Sequence, residues 1–203
     1  IDGYITFNGA RTFIGDEDIT LMPIPEAEVL LMIADAKERD YAVVVCGRDD
    51  IGIYNHSKIY EDVFVKGLKV TNIDVHKPIE PMLDKPVLQL TPFFRVEDEA
   101  TILPAMKHCI SARWNPLFTD ITVKGADKGS ALLKLAAHIG LEPSECIAFG
   151  DGGNDMSILR AAGIGVAMGN ANEDVQAAAD YITTSVDEDG IRNAFIHFNI
   201  IEE

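Results

Sequence analysis

Short apolar runs of strand type alternate with amphipathic helical stretches along the chain, and their order sketches the fold. Residues 4–7 read as a strand closed by the Asn8-Gly9 turn. Residues 11–14 and 19–22 pair as a hairpin around Gly15-Asp16. Pro25 opens a helix whose Glu26 and Glu28 suit the positive end of its dipole, with Val29, Leu30, Ile33 and Ala34 on one apolar face. Residues 41–45 and 51–54 then predict strands, 60–70 a helix, 87–91 a strand, 97–106 a helix and 110–114 a strand. Pro78, Pro81 and Pro86 prevent residues 77–86 from forming one regular element. Strands and helices intermixed in this way predict an α+β module over residues 23–120.

The pattern changes after residue 120. Residues 121–123 lead out of the module, and Asp127 is placed to cap a helix over 128–139 that turns Leu132, Leu135, Ala136 and Ile139 inward. Strands are expected at 147–149, 164–168 and 181–183, with helices at 155–162, 172–179 and 190–198. Strand and helix in strict alternation predict right-handed parallel crossovers.

The chemistry concentrates where the first of those strands stops. Gly150-Asp-Gly-Gly-Asn-Asp155 puts Asp151, Asn154 and Asp155 into a glycine-rich strand-to-helix loop. In a parallel sheet that loop lies at the carboxyl end of a strand, where ligands bind. Two carboxylates in one tight loop repel each other unless a cation sits between them, and Mg²⁺ suits that role. Lys128 falls in the first turn of its helix, where the dipole disfavours a cation. Either it is solvated or something anionic holds it.

A net charge of −16 on 203 residues argues against nucleic acid, which rewards a basic surface. No apolar run reaches the length of a membrane span. Cys46, Cys109 and Cys146 are odd in number and widely spaced, which fits reduced thiols in a cytoplasmic protein. Turn chemistry alone accounts for Asn8 and Gly9. Arg48, Lys58 and Arg113 are candidates to touch a substrate's leaving group, although pattern does not place them.

The loop at 150–155, together with residues 161–171 and 173–183, resembles the last motif of the haloacid dehalogenase superfamily, in its Cof-like branch of metabolite phosphatases. The resemblance is dense from Lys128 to Phe195, returns in residues 1–10 and is weak between. It implies an α/β fold, a Rossmann-like three-layer core with a parallel sheet, interrupted by an inserted α+β cap. On that reading residues 1–22 and 121–203 are core and 23–120 the cap. It implies a Mg²⁺-dependent phosphatase acting on a small phosphorylated metabolite, a sugar phosphate by branch, through an aspartyl-phosphate. Asp151 would then ligate Mg²⁺. Asp155 would support the metal as a ligand, through water or by orienting Lys128. Asn154 and Lys128 would bind phosphate. The branch's Asp-x-Asp nucleophile motif has no counterpart here, so the expectation is an N-terminally truncated piece that lacks its first strands and is inactive alone. Three rivals remain at this point: an ion-pump fragment, argued against by the missing spans; phosphomutase or carbon–halogen chemistry; and a non-catalytic or split module that binds a partner.

Overall fold

The structure, a computed structural model, describes residues 2–71 and 73–202. The chain divides into two compact units, one made of Ile1–Thr20 with Gly125–Glu203 and the other of Leu21–Lys124. No helix among the described residues is long and apolar enough to cross a membrane.

Strands β1 (Gly3–Thr6), β2 (Arg11–Ile14) and β3 (Glu17–Leu21) form a three-stranded sheet in that order, with β1 and β2 antiparallel. The first strand stops at Thr6 because Phe7 and Asn8 take left-handed φ values of 52° and 53°, followed by Gly9 at 95°. Gly9 also lies against the backbone of Asp127: a Cβ there would be 2.3 Å from the Asp127 carbonyl oxygen. Only glycine meets both demands.

The unit Leu21–Lys124 contains α1 (Glu26–Arg39), β4 (Val43–Gly47), β5 (Ile51–Tyr54) and α2 (Lys58–Tyr60), which continues as wider helical turns to Gly67. After α3 (Glu80–Leu83) come β6 (Val87–Pro92), α4 (Val96–Ile102), β7 (Cys109–Asn115) and β8 (Phe118–Val123). The five strands make one antiparallel sheet in the order β5-β4-β6-β8-β7. On one face Val43, Val45, Leu90 and Ile121 pack against Val29, Met32 and Ala36 of α1, Met82 of α3 and Ile102 of α4. On the other, the rings of Tyr60, Phe64, Phe93 and Phe118 form a cluster with Tyr60–Phe93 centroids 5.7 Å apart and Phe64–Phe93 5.0 Å. Helix α4 ends at Ile102, short of the expected 106, because Pro104 has no N–H to continue the ladder. Residues 121–123 are also not an exit from this module. They finish β8, with Cys109 opposite Val123 and Ile110 opposite Thr122, so the division falls after Lys124 rather than at 120.

The remaining segment of the first unit alternates as its pattern foretold. Helix α5 (Lys128–His138) precedes β9 (Ile147–Gly150), α6 (Met156–Ala161), β10 (Ile164–Ala167), α7 (Glu173–Gln176), β11 (Tyr181–Ile182) and α8 (Gly190–His197). The strands are parallel in the order β11-β10-β9. Ala148 joins a cluster with Leu159 and Val175, whereas Phe149, pointing the opposite way, meets Phe195 of α8 edge-to-face at 5.2 Å. Helices therefore cover both faces of this sheet, as an α/β fold requires.

Candidate functional site

Strand β9 ends at Gly150, and the chain turns through residues 151–154 before α6 begins. Asp155, 8% exposed, folds back under this turn. One of its carboxylate oxygens, Oδ2, accepts the backbone N–H groups of Asp151 (3.1 Å) and Gly152 (3.0 Å). The other accepts the Lys128 ammonium in an ion pair. A side chain at position 150 would not allow this, since its Cβ would lie 2.4 Å from that of Asp155. Lys128, placed against its helix dipole, is thus held by an anion supplied from the next loop.

That lysine is positioned by the start of α5. Asp127 caps the helix by accepting the Ser130 N–H (2.9 Å) and hydroxyl (2.6 Å), and the Gly129 N–H donates to Ser157 Oγ at 3.1 Å. Burial pushes the Asp127 carboxyl up, but the bonds from Ser130, then Ser157 and the Gly129 amide, outweigh it and hold the group below the usual carboxylate range.

Asp151 is exposed at the surface of the turn. Its Oδ2 accepts the Asn170 amide at 3.1 Å, and Asn170 Oδ1 in turn accepts the Val186 N–H at 3.1 Å. Asn154 donates from Nδ2 to Asn8 Oδ1 at 2.9 Å. The four residues singled out in the sequence thus fall into one loop system: Lys128 and Asp155 are paired, Asp151 shares its backbone with that pair, and Asn154 is tied to Asn8 instead. Asn8 and Asn170 escaped the sequence reading. Asn8 was legible only as a turn residue, and Asn170 only as part of the 161–171 resemblance, with no role of its own. Arg48, Lys58 and Arg113 lie in the other unit. There Arg113 is spent on Glu99 and the carbonyls of Phe94, Asn115 and Phe118, Lys58 pairs with Asp62, and Arg48 meets Asp49 at 3.2 Å.

Among the described residues no three His, Cys, Asp or Glu side chains converge as a metal cage. The donor set fits a cation that keeps most of its water. Asp151 has an oxygen beyond the one Asn170 occupies, whereas both oxygens of Asp155 are engaged. One exposed carboxylate with an oxygen to spare is within what Mg²⁺ takes, since it binds one or two carboxylates and fills its other positions with water and phosphate oxygens.

A profile of haloacid dehalogenase-like hydrolases matches residues 1–195. The chain belongs to that family. This haloacid dehalogenase-like hydrolase superposes on a subclass IIB sugar phosphatase, BT4131, with a TM-score of 0.89 and 42% identity, covering 99% of its own length and 77% of that chain. For BT1666, a phosphatase of the same superfamily from Bacteroides thetaiotaomicron, the values are 0.85 and 36%, over 98% of this chain and 75% of that one. Over 78 residues, 38% of this chain and 27% of the other, it is 44% identical to the phosphatase YwpJ of Bacillus subtilis.

Proposed function

We propose that the intact protein is a Mg²⁺-dependent phosphatase that hydrolyses a small phosphorylated metabolite, a sugar phosphate, through an aspartyl-phosphate formed on an aspartate other than Asp151 and Asp155. The observation that carries this is the Lys128–Asp155 pair anchored to the Asp151 and Gly152 amides at the end of β9. Support for the substrate class comes from BT4131, which is described as a sugar phosphatase.

Each side chain has a distinct part. Lys128 offers a point charge to a phosphate oxygen. Asp155 holds that ammonium in place and, through two backbone amides, fixes the turn that carries Asp151. Asn154, fixed by Asn8, donates to a second phosphate oxygen. Asp151 holds Mg²⁺, oriented by Asn170; the metal, when bound, neutralises phosphate charge and stabilises the charge of the transition state. The unit Leu21–Lys124 serves as the inserted α+β cap. A cytoplasmic setting agrees with Cys46 and Cys109 being buried free thiols.

The deciding experiment is a Mg²⁺ titration of p-nitrophenyl phosphate and sugar-phosphate hydrolysis by the intact protein, wild type and Asp151→Ala. We expect the substitution to lower Mg²⁺-dependent turnover by about a hundredfold or more, the scale of a lost charge-stabilising ligand. A near-normal rate would remove Asp151 from the metal site and the reading with it.

A further inference from the structure

The turn between β11 and α8 supplies no side chain to the phosphatase reading, yet it is built against the loop that does. Gly169 allows the approach: its N–H donates to the Thr184 carbonyl at 3.1 Å, and a Cβ there would stand 2.8 Å from the Ser185 nitrogen. The turn is also tied to itself. Ser185 Oγ donates to Glu188 Oε2 at 2.7 Å, the Glu188 and Gly190 amides both donate to the Ser185 carbonyl at 3.1 Å, and Asn193 Nδ2 donates to Thr184 Oγ1 at 2.8 Å. These bonds give the Val186 N–H a fixed direction, and its acceptor is Asn170 Oδ1 at 3.1 Å.

Direction matters because an asparagine side chain has two unlike ends of nearly the same shape. One is an acceptor oxygen, the other a donor nitrogen, and half a turn about the last bond exchanges them. A backbone N–H can only donate. Val186 therefore keeps the Asn170 oxygen on its own side and leaves the amide nitrogen facing Asp151, whose Oδ2 accepts it at 3.1 Å. Reversed, the amide would turn its oxygen to a carboxylate and repel it. Asp151 and Asn170 are both exposed, so hydrogen bonds rather than packing set the directions of their side chains.

We propose that the Val186 N–H and the Asn170 side chain form a relay that positions Asp151 for a divalent cation, holding Oδ2 and leaving the other carboxylate oxygen to the metal. Both are positioning residues, and they act on affinity for the cation through the orientation of one carboxylate. The inference rests on Asp151 being the Mg²⁺ ligand and adds a backbone group on a separate turn that governs how well that ligand is presented.

Val186→Pro isolates the relay. Val186 is the first residue of the short helical turn Val186–Glu188, a position proline favours, and Ser185 with ψ at 167° already has the extended backbone required before proline. The N–H is lost while the turn is kept. Val186→Ala is the control, since it trims the side chain and keeps the N–H. Mg²⁺ binding to the intact protein without substrate is measured by isothermal titration calorimetry, and unfolding of the metal-free protein is followed in urea. The Kd for Mg²⁺ should rise about tenfold in Asn170→Ala, the lower end for loss of an outer partner of a metal ligand, and about threefold or more in Val186→Pro. Val186→Ala should bind as wild type does, and the metal-free unfolding midpoint of Val186→Pro should not move, a separation that a merely structural defect would not give. Should Val186→Pro lower that midpoint, Asn170→Ala against wild type decides the matter. Asp151→Ala tells two failures apart. If it binds Mg²⁺ with wild-type affinity, the metal-site reading fails and the relay with it. If it loses binding while Asn170→Ala keeps wild-type affinity, the relay alone is overturned. Equal losses in Val186→Pro and Val186→Ala overturn it too, because the N–H would then have no part.

Discussion

Lys128 shows how one residue's placement exposes its purpose. The first turn of a helix penalises a cation by about 0.3–1 kcal/mol, yet Asp127, Ser130 and Ser157 all fix that turn where the lysine meets Asp155. The cap itself is testable. Asp127→Ala removes the acceptor for Ser130 and should destabilise the protein by about 1 kcal/mol at neutral pH, measured by urea denaturation. Because the folded carboxyl is held below its ordinary value, its stabilisation is fully present above the unfolded carboxylate pKa of about 3.9 and is lost as pH falls through the lower folded value. The gap between wild type and variant should therefore close in acid. A gap that widened there would contradict the assignment.

Elements of the site are joined by close backbone approach as well as by side chains. The 7–10 turn touches α5 at Asp127 through Gly9 and reaches the β9–α6 loop through Asn8. Gly9→Ala would combine a φ of 95° with a Cβ 2.3 Å from a carbonyl oxygen. A cost of about 1–3 kcal/mol follows, read as a lowered urea midpoint; an unchanged midpoint would mean the turn yields freely. In the other unit, Phe118 is fully buried at the centre of the ring cluster and buttresses Trp114. Phe118→Ala should cost about 3–5 kcal/mol and move Trp114 emission to the red. Emission and stability both unchanged would show that Trp114 stands without that ring.

At the scale of the molecule, Leu21–Lys124 is one continuous stretch with a core of its own, drawn from α1, the sheet, α3 and α4. A segment of that size and organisation is expected to fold by itself. Expressed alone, residues 21–124 should unfold in one cooperative thermal transition seen equally by circular dichroism and by Trp114 emission. Non-coincident or broad transitions would show that its core depends on the rest of the chain.

Local rules made much of this legible. Period-two and period-3.6 runs separated the strands and helices, the glycines of 150–153 marked the turn that bends β9 into α6, and the position of Lys128 against its helix dipole left two choices, solvent or an anionic partner. These features depend on neighbours a few residues apart, so the chain itself encodes them. Long-range pairing decided the rest. Asn8 looks the same in any Asn-Gly turn until folding brings Asn154 to it across 146 positions. Nothing near Asp120 in sequence shows that Gln89 and Thr91, on a strand about thirty residues earlier, will share its sheet face. Strand register and the packing of distant segments fix such encounters, because side-chain direction is a local property whereas proximity is a property of the whole fold.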